Sequence, residues 1–124
     1  MASIDDLTTL IADELTLYSA EVAQEVKQAC KDVSTEMMEN IKRDSPKNTG
    51  KYAKGWRVKV ESEDANHINV TTYNKTSYQL THLLEYGHSK QNGGRVSGKA
   101  HIRPNEEKAI QKLTERIEKA VKGE

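Results

Sequence analysis

The sequence predicts an α+β domain, and three observations point there. A helical apolar stripe runs through the first 44 residues, two alternating runs follow near 56–61 and 68–72, and a second helical stripe closes the chain. At 124 residues the simplest organisation is one domain spanning 1–124.

In the first segment, Ile4, Leu7, Ile11, Leu15, Tyr18, Val22, Val26, Ala29, Val33, Met37 and Ile41 recur at steps of three or four. Ser3, Asp5 and Asp6 offer N-cap chemistry, and no Gly or Pro intervenes before Ser45-Pro46. A helix from Ser3 to about Arg43 would be roughly 60 Å long, against about 35 Å for the diameter of a compact domain of this size. Such a stripe exceeds what its own domain can cover. Either the helix breaks around residues 16–19 or its outer part packs on a neighbouring chain, and the excess favours self-association.

Ser45-Pro46-Lys47-Asn48-Thr49-Gly50 carries turn chemistry. Trp56, Val58 and Val60 then alternate with polar residues, as do Ile68, Val70 and Thr72, which predicts an antiparallel hairpin. Thr76 or Ser77 can cap a short helix with Leu80, Leu83 and Leu84 on its apolar side, ended by Gly87. Residues 88–100 are polar, hold three glycines and lack periodicity, so a mobile loop is expected. His101-Ile102-Arg103 is extended before Pro104 and can add a third strand. Asn105 is placed as the cap of the last helix, with Ala109, Ile110, Leu113, Ile117, Ala120 and Val121 buried.

Apolar residues are 35% and charged residues 31%, with no Phe and a single Trp. The core is therefore modest, the kind that leans on a partner subunit. Nineteen bases balance nineteen acids, so no whole-chain field selects nucleic acid or a membrane. The charge is sorted along the chain, however. Residues 1–44 hold ten acids and four bases, 45–60 five bases and no acid, and 86–105 four bases and no acid. Alternating blocks of this kind suit faces that meet other protein faces, including copies of the same chain. The single cysteine, Cys30, excludes an internal disulfide, and its place on the stripe makes it a small buried hydrophobe. No run approaches a membrane span, and Asp5 and Asp6 argue against a secretory signal.

Chemistry-bearing motifs fall short. Gly93, Gly98 and Lys99 match phosphate-loop spacing, but Ala100 stands where a magnesium-holding hydroxyl is needed. His82, Glu85, His88 and His101 invite a metal reading, yet His88 lies beyond the Gly87 stop and the zinc-protease spacing is absent. Neither a metal nor another cofactor is expected. Basic stretches 47–59 and 90–103 leave a nucleic-acid-binding accessory role as the alternative, without interleaved aromatics for base stacking.

Two stretches resemble a known family. Ser45-Pro46-Lys47-Asn48-Thr49-Gly50-Lys51-Tyr52-Ala53-Lys54-Gly55-Trp56 resembles the Pro-x-x-Thr-Gly turn of a tail-component family of tailed phages. Leu83-Leu84-Glu85-Tyr86-Gly87, the glycine-rich gap and His101-Ile102-Arg103-Pro104 resemble its Glu-Tyr/Phe-Gly motif and closing Arg-Pro element. The resemblance implies a non-enzymatic virion component of the neck or upper tail, synthesised in the host cytoplasm. It would act as a head–tail joining, tail-completion or minor tail protein in a homo-oligomeric ring, often six-fold, with other neck, connector or tail proteins as partners. On that reading Thr49 and Gly50 turn the chain towards Trp56, and Glu85, Tyr86 and Gly87 set the base of the loop. Lys90, Arg95 and Lys99 line the loop, and Arg103 and Pro104 steer into the last helix. Asn105 departs from the Ala often found after that proline.

Overall fold

The computed structural model describes residues 7–46 and 50–123. Chain order is β1 (Leu7–Ala12), a 3-10 turn (Leu15–Leu17), α1 (Ala20–Asp44), α2 (Lys51–Lys54), β2 (Trp56–Asp64) and β3 (His67–Asn74). A second 3-10 turn (Tyr78–Leu80) leads to α3 (Thr81–Tyr86), β4 (Gly87–Ser89), β5 (Arg95–Ser97) and α4 (Arg103–Lys122). The fold is α+β, as expected.

Within the expected helix, residues 7–12 are a strand. Leu7–Ala12 pairs antiparallel with β3, placing Leu10 opposite Val70 and Ala12 opposite Ile68. Leu7 and Ile11 satisfy a helical spacing, but Thr8, Leu10 and Ala12 also alternate at period two. The free edge of β3 makes the second pattern win. Thr8 and Leu10 are buried while Ile11 is exposed. Ser3, Ile4, Asp5 and Asp6 lie outside the described residues. The helix proper starts after Ser19, whose hydroxyl accepts the Val22 N–H at 3.2 Å, within the stretch where a break was the alternative.

That shorter α1 also removes the surplus apolar stripe. At 25 residues it is about 37 Å long. It lies between the three-stranded sheet, ordered β1-β3-β2, and α4. Two covered sides explain its wide buried face, from Ala23 through Val26, Ala29, Cys30, Val33, Met37 and Ile41. Met37, Ile41, Trp56, Ile68 and Val70 centre the main core, while Leu15, Ala23, Val26 and Ala120 form a smaller one. The stripe is hidden by its own domain, so helix length gives no argument for a partner. Burial pushes the Cys30 thiol up to about 11, as befits a packing residue.

The β2–β3 hairpin is as predicted, though longer. A bulge between Val60 and Ser62 reverses which side the later residues face. Glu63 thereby turns toward α1 and meets Lys27 at 3.4 Å and Lys31 at 3.1 Å. The third strand is β1, not residues 101–103, which bend straight into α4. Residues 88–100 are not a free loop either: β4 and β5 pair antiparallel, Gly87 opposite Ser97 and Ser89 opposite Arg95. Gly93 and Gly94, both at positive φ, make the hairpin turn.

Candidate assembly surfaces and the polar knot beneath them

Below the β4–β5 hairpin, three elements meet at a sealed polar knot. The Glu85 carboxylate, on α3, receives the N–H groups of His101 (2.8 Å), Ile102 (2.9 Å) and Arg103 (3.0 Å). It therefore occupies the N-terminus of α4, where unpaired amides and the helix dipole favour an anion. Pro104, within the first helical turn, has no N–H to leave unpaired. Asn105 is not the cap. It sits inside the first turn, its amide donating to the Asp44 carboxylate at 3.0 Å and the His101 carbonyl at 2.8 Å. Thr76 and Ser77 do not cap α3 either, since that helix starts at Thr81 with Leu80 at the cap position.

His101 is fully buried. Its Nδ1 lies 2.7 Å from the Lys99 carbonyl and 3.0 Å from Glu85 Oε1, two acceptors, so that nitrogen carries a proton. The Tyr52 hydroxyl closes the other side at 2.6 Å from Nε2. Tyr52 also packs edge-on against Trp56, whose indole donates to Ser45 Oγ at 2.9 Å. Burial alone would raise the Glu85 pKa; the hydrogen bonds from the His101 ring and the three backbone amides outweigh it and hold the group down at about 2. Burial first, and then the Glu85 charge, push the Tyr52 phenol upward.

Two glycines make the knot's outer rim. Gly87 has φ 81° and ψ −178°, and a Cβ there would meet the Val96 carbonyl. A Cβ at Gly98 would meet the Glu85 carbonyl and the Gly87 nitrogen. The backbones of the α3–β4 junction and the end of β5 thus approach too closely for side chains. The Lys99 N–H to Leu84 carbonyl bond, 2.8 Å, fastens the same seam. The glycine-rich stretch weighed as a phosphate loop serves as this hairpin.

The sequence-predicted residues divide between knot and surface. Glu85, Trp56 and the backbone of Arg103 belong to the interior, with the Arg103 side chain running out to Glu107. Gly50, at φ 79°, starts α2; Thr49 and Lys47 lie outside the described residues. Tyr86 is exposed and packs at a tilt against His82, 5.1 Å between ring centres. Lys90, Arg95 and Lys99 are exposed on the hairpin, and one Arg95 guanidinium N–H donates to the Tyr86 carbonyl. Of His82, Glu85, His88 and His101, Glu85 and His101 pair at 3.0 Å, but among the described residues no three His, Cys, Asp or Glu side chains could share a metal ion.

Sequence reasoning missed Tyr52 and His101 as partners, for which the aromatic-rich run 52–56 was the available signal. It also misjudged several apolar residues as buried. Leu80, Leu83, Ile110 and Val121 are exposed, together with Ile11, Leu17, Tyr18 and Val96. A groove of about 230 Å³ runs between α1 and α4, crossed by the Lys112–Glu36 ion pair. No described helix is long and apolar enough to cross a membrane.

The model of the family described as Bacteriophage HK97-gp10, putative tail-component, matches residues 11–87, from β1 to the Glu85-Tyr86-Gly87 motif. Comparisons with curated proteins and with solved structures find no match. The match covers more than half of the chain, and the protein belongs to this family of phage tail components.

Proposed function

We propose that the protein is a non-enzymatic building block of the phage neck or upper tail, working as a head–tail joining, tail-completion or minor tail protein in a homo-oligomeric ring. Family membership supplies the tail setting. The observation that carries the assembly role is the outward apolar surface of a domain whose core is otherwise closed. Leu17, Leu80, Leu83, Tyr86 and Val96 stay exposed although α1 is covered on both sides. The groups best suited to acid–base chemistry, Glu85, His101 and Tyr52, are all spent on structural hydrogen bonds in the buried knot. Thr49, Gly50, Gly87, Arg103 and Pro104 act as positioning residues on this reading, while Tyr86, Lys90, Arg95 and Lys99 meet other subunits or neighbouring neck proteins.

Native mass spectrometry and light scattering test the reading. A closed oligomer of one stoichiometry is expected, alone or on mixing with neighbouring neck proteins. A strict monomer at every concentration, unchanged by those proteins, would contradict it.

A further inference from the structure

Two surfaces at opposite ends of the sheet leave both apolar and charged groups unpartnered within the chain. The first is the corner where β1 runs through the 3-10 turn into α1. Ile11, Leu17 and Tyr18 are exposed there, Leu17 at 77%. Asp13, Glu14, Glu21 and Glu25 belong to the same stretch, all exposed and none in an ion pair among the described residues. No Lys or Arg occurs between Leu7 and Val26, while Lys119 and Lys122 stand at the end of α4, whose Ala120 packs with Leu15, Ala23 and Val26, so four acids outnumber two bases there.

The second is the outer side of α3 with the β4–β5 hairpin. Leu80, Leu83, Tyr86 and Val96 are exposed, beside His88, Lys90, Arg95 and Lys99. Lys90 and Lys99 make no ion pair among the described residues. No acid occurs from Tyr86 to Asn105. Elsewhere many surface charges find partners within the fold, as in Asp32–Arg116, Glu36–Lys112 and Lys31–Glu63.

Strand β3 separates the two. At its start the Asn66 carbonyl accepts the Leu15 N–H at 3.1 Å; at its end Asn74 Oδ1 accepts the Thr76 and Ser77 amides just ahead of α3. Eight extended residues span roughly 25 Å. Each copy thus offers an acidic apolar face at one end and a basic apolar face at the other. Neither face suits itself, because a two-fold contact would set like charges together. Each suits the other, and a contact between unlike faces repeats head to tail and closes into a ring when the rotation allows.

We infer that the acidic corner of residues 11–25 of one copy docks on the α3–hairpin surface, residues 80–99, of the next. The inference rests on the ring reading above and names its contact. Charge reversal tests it. Wild-type protein at low salt is expected to assemble, and E21K/E25K and K90E/K99E are each expected to weaken assembly roughly tenfold or more while keeping the wild-type circular dichroism, with a slightly lower thermal transition in E21K/E25K because Glu21 lies in the first turn of α1. Mixing the two variants in equal amounts should restore assembly, since each then meets an opposite face. If both variants assemble as well as wild type, the head-to-tail contact is wrong and the ring stands. If wild type never assembles, both readings fall. A weak contact is read by disulfide capture: mixed Leu17→Cys and Val96→Cys proteins should cross-link to each other, with Cys30 buried and out of reach. Homodimer cross-links alone would overturn the pairing.

Discussion

Glu85 and Tyr86 are adjacent in sequence and opposite in circumstance. Glu85 is 6% exposed and holds the start of α4, while Tyr86 is 45% exposed with its ring beside His82. The whole of α3 divides this way, with Thr81 and Glu85 buried and Leu83 and Tyr86 outside. A six-residue helix has too little surface to do much for a core. Its inner side is instead spent on a polar anchor, and its outer side is left exposed. Damage to one side should cost stability, and damage to the other should cost assembly alone.

The largest effect is expected at the anchor. Glu85→Ala strands three backbone amides and the His101 ring, which should cost about 3–5 kcal/mol in chemical unfolding. Acid should mimic it in part. The Glu85 pKa is depressed from 4.5 to about 2, so its contribution is fully present above the unfolded value and is lost as pH falls from about 4.5 toward about 2. Urea titrations at stepped pH would show the wild-type midpoint falling through that window and the Glu85→Ala midpoint falling less. Next in size is Gly87→Ala, where the glycine-only backbone and the contact with the Val96 carbonyl should cost about 1–3 kcal/mol. Amide exchange should accelerate in β4 and β5 ahead of the Trp56 core. Leu83→Ser should move stability by no more than about 0.5 kcal/mol yet shift the oligomer toward smaller species in sedimentation. The smallest change belongs to the exposed Asp32–Arg116 pair, where Asp32→Ala should stay below about 1 kcal/mol.

The same division explains what the sequence disclosed. Strong periodicity disclosed the α+β class, the β2–β3 hairpin and the two long helices, because burial on one side writes itself into spacing. It misled at residues 7–12, where helical and strand spacings coexist and only the edge of β3 decides between them. Glu85, Gly87, Arg103 and Pro104 were legible as a motif, but not as a cap, since the carboxylate and the amides it binds are sixteen or more residues apart. The hairpin at 87–97 was hidden because its strands have three residues each and pack their backbones through glycine, leaving no apolar alternation to read. Leu80 and Leu83 looked like core residues because sequence spacing cannot distinguish a face turned to the core from an apolar face left exposed.

Amide hydrogen exchange, compared between wild-type protein at low salt and K90E/K99E, tests most directly whether the two ends of the molecule are its joints. Slower exchange in wild type at residues 11–25 and 80–99 together, with the α1–α4 groove unchanged, is the predicted result. Identical exchange in the two proteins, or slowing confined to the α1–α4 groove, would contradict it.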